Sequence, residues 1–196
     1  LKSNHSSLYS LGQIQANLHT INSPSGLKKD FSMGYKLFQK LFTIAEEKDE
    51  WTDFLYLLKK ESSKLKDSFE GLPRGIIHGD LFPDNVIGLN DEVKSLLDFE
   101  EMCHGILAFD LVMTFVGFGW ENNFPVAKHW FSLLEGYQSV RKLTEQEISA
   151  LPDLHRLATL SIAAWRYWQF VINLPNTEHT NRYLEMIDRL DKQLPF

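Results

Sequence analysis

Gly75-Ile76-Ile77-His78-Gly79-Asp80-Leu81-Phe82-Pro83-Asp84-Asn85-Val86-Ile87 is the stretch on which the reading of this chain turns. Leu96-Leu97-Asp98-Phe99-Glu100 follows shortly after it. Together they read as a short apolar strand, a tight polar loop, and a β-hairpin whose second strand ends in a carboxylate. Three groups stand out by type and spacing: Asp80, Asn85 and Asp98. An acidic group on a loop can accept a proton from a hydroxyl. An amide oxygen and a second carboxylate are hard oxygen ligands, suited to Mg²⁺ rather than to a soft metal. Phosphoryl transfer uses that combination, a base for the attacking hydroxyl and a metal to neutralise phosphate oxygens.

The spacing sharpens the signal. His78-x-Asp80-x-x-x-x-Asn85 matches the catalytic-loop pattern in which the Asp is the base and the Asn holds metal, and Asp98-Phe99-Glu100 stands where a second metal-binding Asp is expected. An Asx-rich turn between two strands, with Asp80 and Asp84 bonding their own backbone, accounts for either half alone. It does not account for both halves in this order. The hairpin itself makes Asn85 and Asp98 converge, since one opens its first strand and the other closes its second.

On these residues the chain resembles the aminoglycoside phosphotransferase/choline kinase superfamily of small-molecule kinases. Three stretches are most similar to the homoserine kinases of this fold: His78 to Val86 (HGDLFPDNV), Ile106 to Phe115 (ILAFDLVMTF) and Gly136 to Thr144 (GYQSVRKLT). The likeness runs from about Leu11 to the C-terminus. It implies an α+β, mainly α-helical fold, the C-terminal lobe of a protein-kinase-like architecture with a small β-hairpin at the catalytic loop, over residues 1–196 as one domain. It implies ATP and Mg²⁺ as cofactors and a small amino alcohol, L-homoserine first, as phosphoryl acceptor, with aminoglycosides, choline or ethanolamine as the alternatives within the class. Carried residue by residue, it makes Asp80 the base, Asn85 and Asp98 the metal ligands, and Asp110 a brace for the catalytic loop. His78 is expected to support the loop through a backbone hydrogen bond, and Glu100 to assist the metal or meet a substrate amine. Arg166, among tryptophans, is either an ion-pair partner or a clamp for a substrate carboxylate.

Composition bounds the rest. The chain has 196 residues, 43% hydrophobic and 13% aromatic, enough apolar surface for one sizeable core. Net charge is −6 with no basic run, which argues against a nucleic-acid partner. The single cysteine, Cys103, permits no intrachain disulfide and reads as a small core residue. No apolar run reaches the roughly 20 residues of a membrane span, and LKSNHSSLYSLGQ lacks the order of a signal peptide. A soluble, cytoplasmic protein of undefined oligomeric state is expected.

Periodicity predicts helices over 7–21, 33–47, 51–66, 106–119, 125–138, 144–151, 153–173 and 178–192. Thr144-Glu145-Gln146-Glu147 offers a capping box. Pro152 is expected to open a new helix, 101–105 to be a loop, and Glu121 to Pro125 a break. His19 reads as a helix-end histidine packed under a loop. No glycine-rich phosphate loop or Val-Ala-x-Lys-like strand precedes the catalytic loop. A nucleotide-binding N-terminal lobe is therefore expected to lie outside this chain, leaving the fragment weak in ATP binding and turnover. Two readings from other classes compete. One is a non-catalytic, kinase-derived binding module; the other is a metallohydrolase built on His78, Asp80, Asp98 and His104.

Overall fold

The computed structural model describes residues 2–65 and 68–196. Seven helices are described: α1 (His5–Thr20), α2 (Tyr35–Lys48), α3 (Asp53–Leu65), α4 (Leu107–Phe118), α5 (Ala127–Gln138), α6 (Glu145–Tyr167) and α7 (Arg182–Arg189). Six short strands form three antiparallel pairs: β1 (Arg74–Ile77) with β4 (Cys103–Ile106), β2 (Val86–Leu89) with β3 (Glu92–Leu96), and β5 (Trp120–Glu121) with β6 (Phe124–Pro125). The architecture is α+β and mainly helical, as expected.

The centre is α4. Eleven of its residues, from Leu107 to Phe118, are buried on every side of the helix. Such a helix gains stability only when other elements enclose it fully. Here α6, α1, α5 and β1 do so. The α1–α5 crossing is tight because of two glycines. A Cβ on Gly12 would stand 2.2 Å from the Leu133 carbonyl oxygen, and one on Gly136 would stand 1.9 Å from that of Tyr9. Backbone on both sides fills the space of a side chain.

Local signals explain most boundaries. Asn4 caps α1, its side chain accepting from Ser7 N at 3.0 Å. The capping box is present at α6: Thr144 Oγ1 accepts from Glu147 N at 3.2 Å, and Glu147 Oε2 accepts from Thr144 N at 2.9 Å. α3 ends at Leu65, and Lys66, the last residue of the predicted helix, lies outside the described residues.

Four expectations are corrected. Pro152 opens no new helix; α6 runs through it from Glu145 to Tyr167. Interior proline costs about 3 kcal/mol through its missing N–H and its ring. Pro152 lies on the exposed face, as does Ile148, whose carbonyl loses its partner there. Burial of Leu151, Leu154, Leu157, Ala158, Leu160 and Ile162 on the same helix outweighs that cost. Past Tyr167 the helix widens into a π-helical turn over Trp168–Asn173. The loop expected at 101–105 contains β4, in register with β1 through Ile77↔Cys103 and Arg74↔Ile106. The break after Glu121 holds a two-residue hairpin, and the last helix is confined to 182–189. Strands of two to four residues carry too little alternation to be legible before their partners are known.

Among the described residues, no helix is long and apolar enough to cross a membrane.

Candidate active site

The polar loop after β1 builds the site, and its conformation is set by its own residues. Gly79 has φ +82°, the left-handed region that favours glycine. A Cβ there would stand 3.0 Å from the Glu101 carbonyl oxygen and 3.1 Å from Phe31 Cε2. The following residues turn through a 3₁₀ segment, Pro83–Asn85, with proline in its first turn. That turn brings Asn85 back under Asp80. Asn85 Nδ2 donates to the Asp80 carbonyl at 2.7 Å and to Asp80 Oδ2 at 3.2 Å. Its Oδ1 enters no hydrogen bond among the described residues and is not among the buried unpartnered polar atoms.

The hairpin β2–β3 then carries the chain away and back. Val86 pairs with Leu96, and Leu97 N donates to the Asn85 carbonyl at 2.9 Å. Asp98 is thereby delivered to the Asn85 end of the hairpin. It adopts φ +56°, a left-handed conformation that Asp tolerates better than most residues. Its Oδ1 accepts from Glu100 N at 3.4 Å.

His78 ties loop and hairpin together. It is fully buried, its Nδ1 accepts from Asp80 N at 3.3 Å, and its Nε2 donates to the Leu97 carbonyl at 2.8 Å. Both nitrogens are thus engaged with backbone. The Phe99 ring packs against it at 4.8 Å between centroids.

Under the loop lies Asp110 of α4, also fully buried. Its Oδ1 accepts from Gly79 N at 2.7 Å. Its Oδ2 accepts from His78 N at 3.1 Å, Gln15 Nε2 at 2.9 Å and His19 Nε2 at 3.0 Å. Burial alone raises a carboxyl pKa, but the bond and charge of His19, the Gln15 amide and the Gly79 N–H hold Asp110 below the usual range. His19 Nδ1 is hydrogen-bonded in turn to Tyr137 Oη at 2.7 Å, and Tyr137 Oη accepts from Arg141 Nη1 at 3.2 Å. Arg141 pairs with the buried Glu147 at 2.9 Å. His19 is packed under the loop, and it is also a link in a polar chain from the loop backbone to the start of α6.

The loop opens on a cleft of about 370 Å³. Asp80, Asp84, Asp98, Glu100 and Glu101 are its acidic lining, Met33, Phe82, Ile162, Trp165 and Phe170 its apolar lining, and Arg166 and Arg182 its cations. The structure therefore brings Asp80, Asp98, Glu100 and Arg166 to one cavity, with Asn85 touching Asp80 from beneath. It places His78 and Asp110 behind the loop, away from the cleft. Arg166 is an ion-pair partner, the first of the two roles its sequence context allowed. It donates to Glu185 Oε2 at 2.8 Å and to the Arg182 carbonyl at 3.0 Å, and it lines the cavity. His104 is elsewhere: its Nδ1 meets Ser23 Oγ at 2.9 Å beside a different hollow. It sits one residue from buried Cys103 on β4, so strand alternation turns it to the opposite face. The hydrolase constellation of His78, Asp80, Asp98 and His104 is not assembled. Arg182 and the Trp165–Phe170 wall escaped the sequence reading of the site, and Asp84 entered it only as a turn residue. No local pattern marks them, because α6 and α7 join the loop only in the folded chain.

The electrostatics of the cleft follow from this crowding. The Asp80 carboxyl is pushed up to about 6, chiefly by burial; His78 and the Asn85 bond oppose the rise, and the charges of Asp84 and Asp98 add to it. Among the described residues, no three His, Cys, Asp or Glu side chains form a ready-made metal cage. Mg²⁺ does not need one, since it retains waters and binds through one or two carboxylates together with substrate phosphates. The donors at hand are oxygens alone, Asn85 Oδ1 makes no hydrogen bond among the described residues, and Asp80, Asp84 and Asp98 line one cleft, where a cation relieves their mutual repulsion. The residues present fit a hard divalent cation.

A family model described as the phosphotransferase enzyme family matches residues 3–143, and the chain belongs to that family. The chain is 34% identical over 167 residues to a homoserine kinase from Sinorhizobium fredii, covering 83% of this chain and 51% of that protein. It is 42% identical over 103 residues to a homoserine kinase from Rhizobium johnstonii, covering 52% and 32% respectively. The chain thus spans about half the length of the first of these relatives. Among solved structures it resembles a choline/ethanolamine kinase family protein from Mesorhizobium loti (TM-score 0.75, 13% identity, 94% of this chain and 61% of that one). It also resembles an ethanolamine kinase from Plasmodium vivax (TM-score 0.70, 15% identity, 94% and 58%). At such identities the structural likeness shows the fold, and the fold is that of the C-terminal lobe of these kinases.

Proposed function

We propose that this cleft transfers the γ-phosphoryl group of ATP to the hydroxyl of a small amino alcohol, with L-homoserine as acceptor. The observation that carries the reading is Asp80. It is a partly desolvated carboxylate in a cleft, hydrogen-bonded to an Asn five residues on, with Asp98 at the same rim. A carboxylate raised to about 6 is ionised at neutral pH yet basic enough to take a hydroxyl proton.

In this reading Asp80 orients the acceptor hydroxyl and receives its proton. Asn85 and Asp98 hold Mg²⁺, which when bound neutralises the phosphate oxygens. His78 keeps the loop and Leu97 in fixed relation, so Asp80 and Asp98 keep theirs. Asp110 braces the loop by accepting from two consecutive loop N–H groups. Glu100 faces the substrate amine. Enclosure by Trp165, Phe170 and Phe82 excludes water from the transferring group, which matters because water competes with the acceptor. The relatives run well beyond the part matched here, and we place the nucleotide lid, with the lysine for the α- and β-phosphates, in that further length. The acceptor chemistry and ATP dependence suit a cytoplasmic enzyme.

The test is ATP consumption by the longest natural version of the protein, with Mg²⁺, against homoserine, choline, ethanolamine, methylthioribose and an aminoglycoside, beside Asp80→Asn. Turnover with homoserine, lost in the variant, is the expected result. Turnover with another acceptor overturns the substrate and keeps the mechanism. No turnover from a folded protein moves the assignment to a binding module.

A further inference from the structure

We infer that Arg182 is the anchor for a substrate carboxylate, and that it makes this cleft selective for an amino acid over amines that lack an acid group. The inference rests on the phosphotransferase reading above and names a specificity determinant within it.

The cleft has five carboxylates on its loop side and only two cations among its lining residues, Arg166 and Arg182. They are not equivalent. Arg166 is committed: it pairs with Glu185 at 2.8 Å and its side chain is 12% exposed. Glu185 is shared with Arg189, so it already balances two guanidinium groups. Burial would raise the Glu185 carboxyl, but the bonds and charges of Arg166 and Arg189 hold it below the ordinary range. Arg182 is exposed, and its guanidinium has no hydrogen-bond or ion-pair partner among the described residues. Its guanidinium lies over the Phe170 ring, 6.0 Å from the centroid. That ring is held edge-on by Trp165 at 5.9 Å and by His179 at 5.2 Å. The fork is therefore carried beside a fixed aromatic wall, facing a cavity, with all its donors open.

An uncommitted guanidinium lining the same cleft as a carboxylate-rich loop sorts ligands by charge. A cationic amine is drawn to the acidic side near Glu100. A carboxylate is repelled there and has one place to go. Arginine meets it with two parallel N–H donors, a geometry that lysine does not reproduce. A zwitterion with its hydroxyl chain at Asp80 satisfies both sides of the cleft. Choline, ethanolamine and polyamine sugars leave the Arg182 side unpaired. Replacing the Arg182 side chain leaves Arg166 in place, because Arg166 is held by the Arg182 backbone carbonyl.

The experiment compares wild type, Arg182→Gln and Arg182→Lys in the longest natural version of the protein. The acceptors are L-homoserine and 2-amino-1,4-butanediol, in which the carboxylate is reduced to a hydroxymethyl group. The Gln variant is expected to raise KM for homoserine on the order of 10- to 100-fold, the size of one charge-assisted contact, with kcat within about twofold. The diol is expected to lose nothing, and Lys to restore part of the KM. Equal losses on both acceptors, or no loss on homoserine, overturn the inference. Calorimetric titration of homoserine into the same variants separates this claim from the kinase reading. Binding weakened by Gln without any turnover in the wild type keeps the anchor and removes the kinase. Wild-type turnover with KM and affinity indifferent to Gln keeps the kinase and removes the anchor. A wild type that neither binds nor phosphorylates homoserine overturns both.

Discussion

Asp110→Asn removes one charge and almost no volume, and its cost follows from the hydrogen bonds. The carboxylate accepts four: three on Oδ2, from His78 N, Gln15 Nε2 and His19 Nε2, and one on Oδ1, from Gly79 N. An amide keeps most contacts by placing its oxygen at the three-donor position. Its NH₂ then faces Gly79 N–H, donor against donor, where 2.7 Å separated the partners. A buried donor left unsatisfied costs about 1–3 kcal/mol. The three surviving bonds lose their charge assistance, about another 1–2 kcal/mol together. The sum, about 3–5 kcal/mol, is the usual cost of leaving one half of a buried polar pair, and a large part of a domain's stability of about 5–15 kcal/mol. Urea unfolding followed by tryptophan fluorescence reads it as a lowered midpoint at unchanged slope. The pH dependence has a definite sign. Asp110 is held low in the folded state, so its contribution is complete above the ordinary carboxylate pKa of about 3.9 and fades as pH falls towards the folded value. The gap between wild type and variant is therefore constant from neutral pH to about pH 5 and narrows below it. A loss under about 1 kcal/mol at pH 7 refutes the brace, because no arrangement of an amide satisfies all four donors.

Other outcomes follow from the same geometry. With Asp80 pushed up to about 6, kcat/KM falls as pH drops through that value, and a flat profile between pH 5 and 7.5 refutes Asp80 as the base. Because its folded pKa is raised, Asp80 destabilises the fold increasingly as pH rises through 6; Asp80→Asn is expected to abolish turnover while adding about 1 kcal/mol of stability at pH 7.5, the full shift being discounted for partial solvation. Gly136→Ala sets a Cβ at 1.9 Å from the Tyr9 carbonyl oxygen, so α1 and α5 must separate; a loss above about 2 kcal/mol in urea is expected, and a neutral result refutes the close crossing. Burial, with the charges of Asp110 and Glu101, pushes the Cys103 thiol up to about 11, so it should resist a thiol reagent at pH 8 until the chain is unfolded, then react as one equivalent.

The sequence by itself determined the parts whose geometry is local. Asn85 folds back under Asp80 because a five-residue turn through Pro83 leaves little choice. Asp98 arrives at the Asn85 end of the hairpin because strand pairing carries it there. The capping box at Thr144 and the apolar stripes of α1 to α3 are likewise short-range. What tertiary structure decided lies between residues far apart in the chain. The Asp110 carboxylate meets His19 of α1 and the Gly79 backbone only once α4 is enclosed. β4 becomes a strand because β1 offers it a ladder, and α6 passes through Pro152 because its buried face outweighs the local penalty. Arg182 joins the lining of the Asp80 cleft through the packing of α7 against α6. Spacing in a sequence encodes turns and single elements. The sum of burial and charge pairing that brings remote elements together belongs to the whole chain and appears only in the fold.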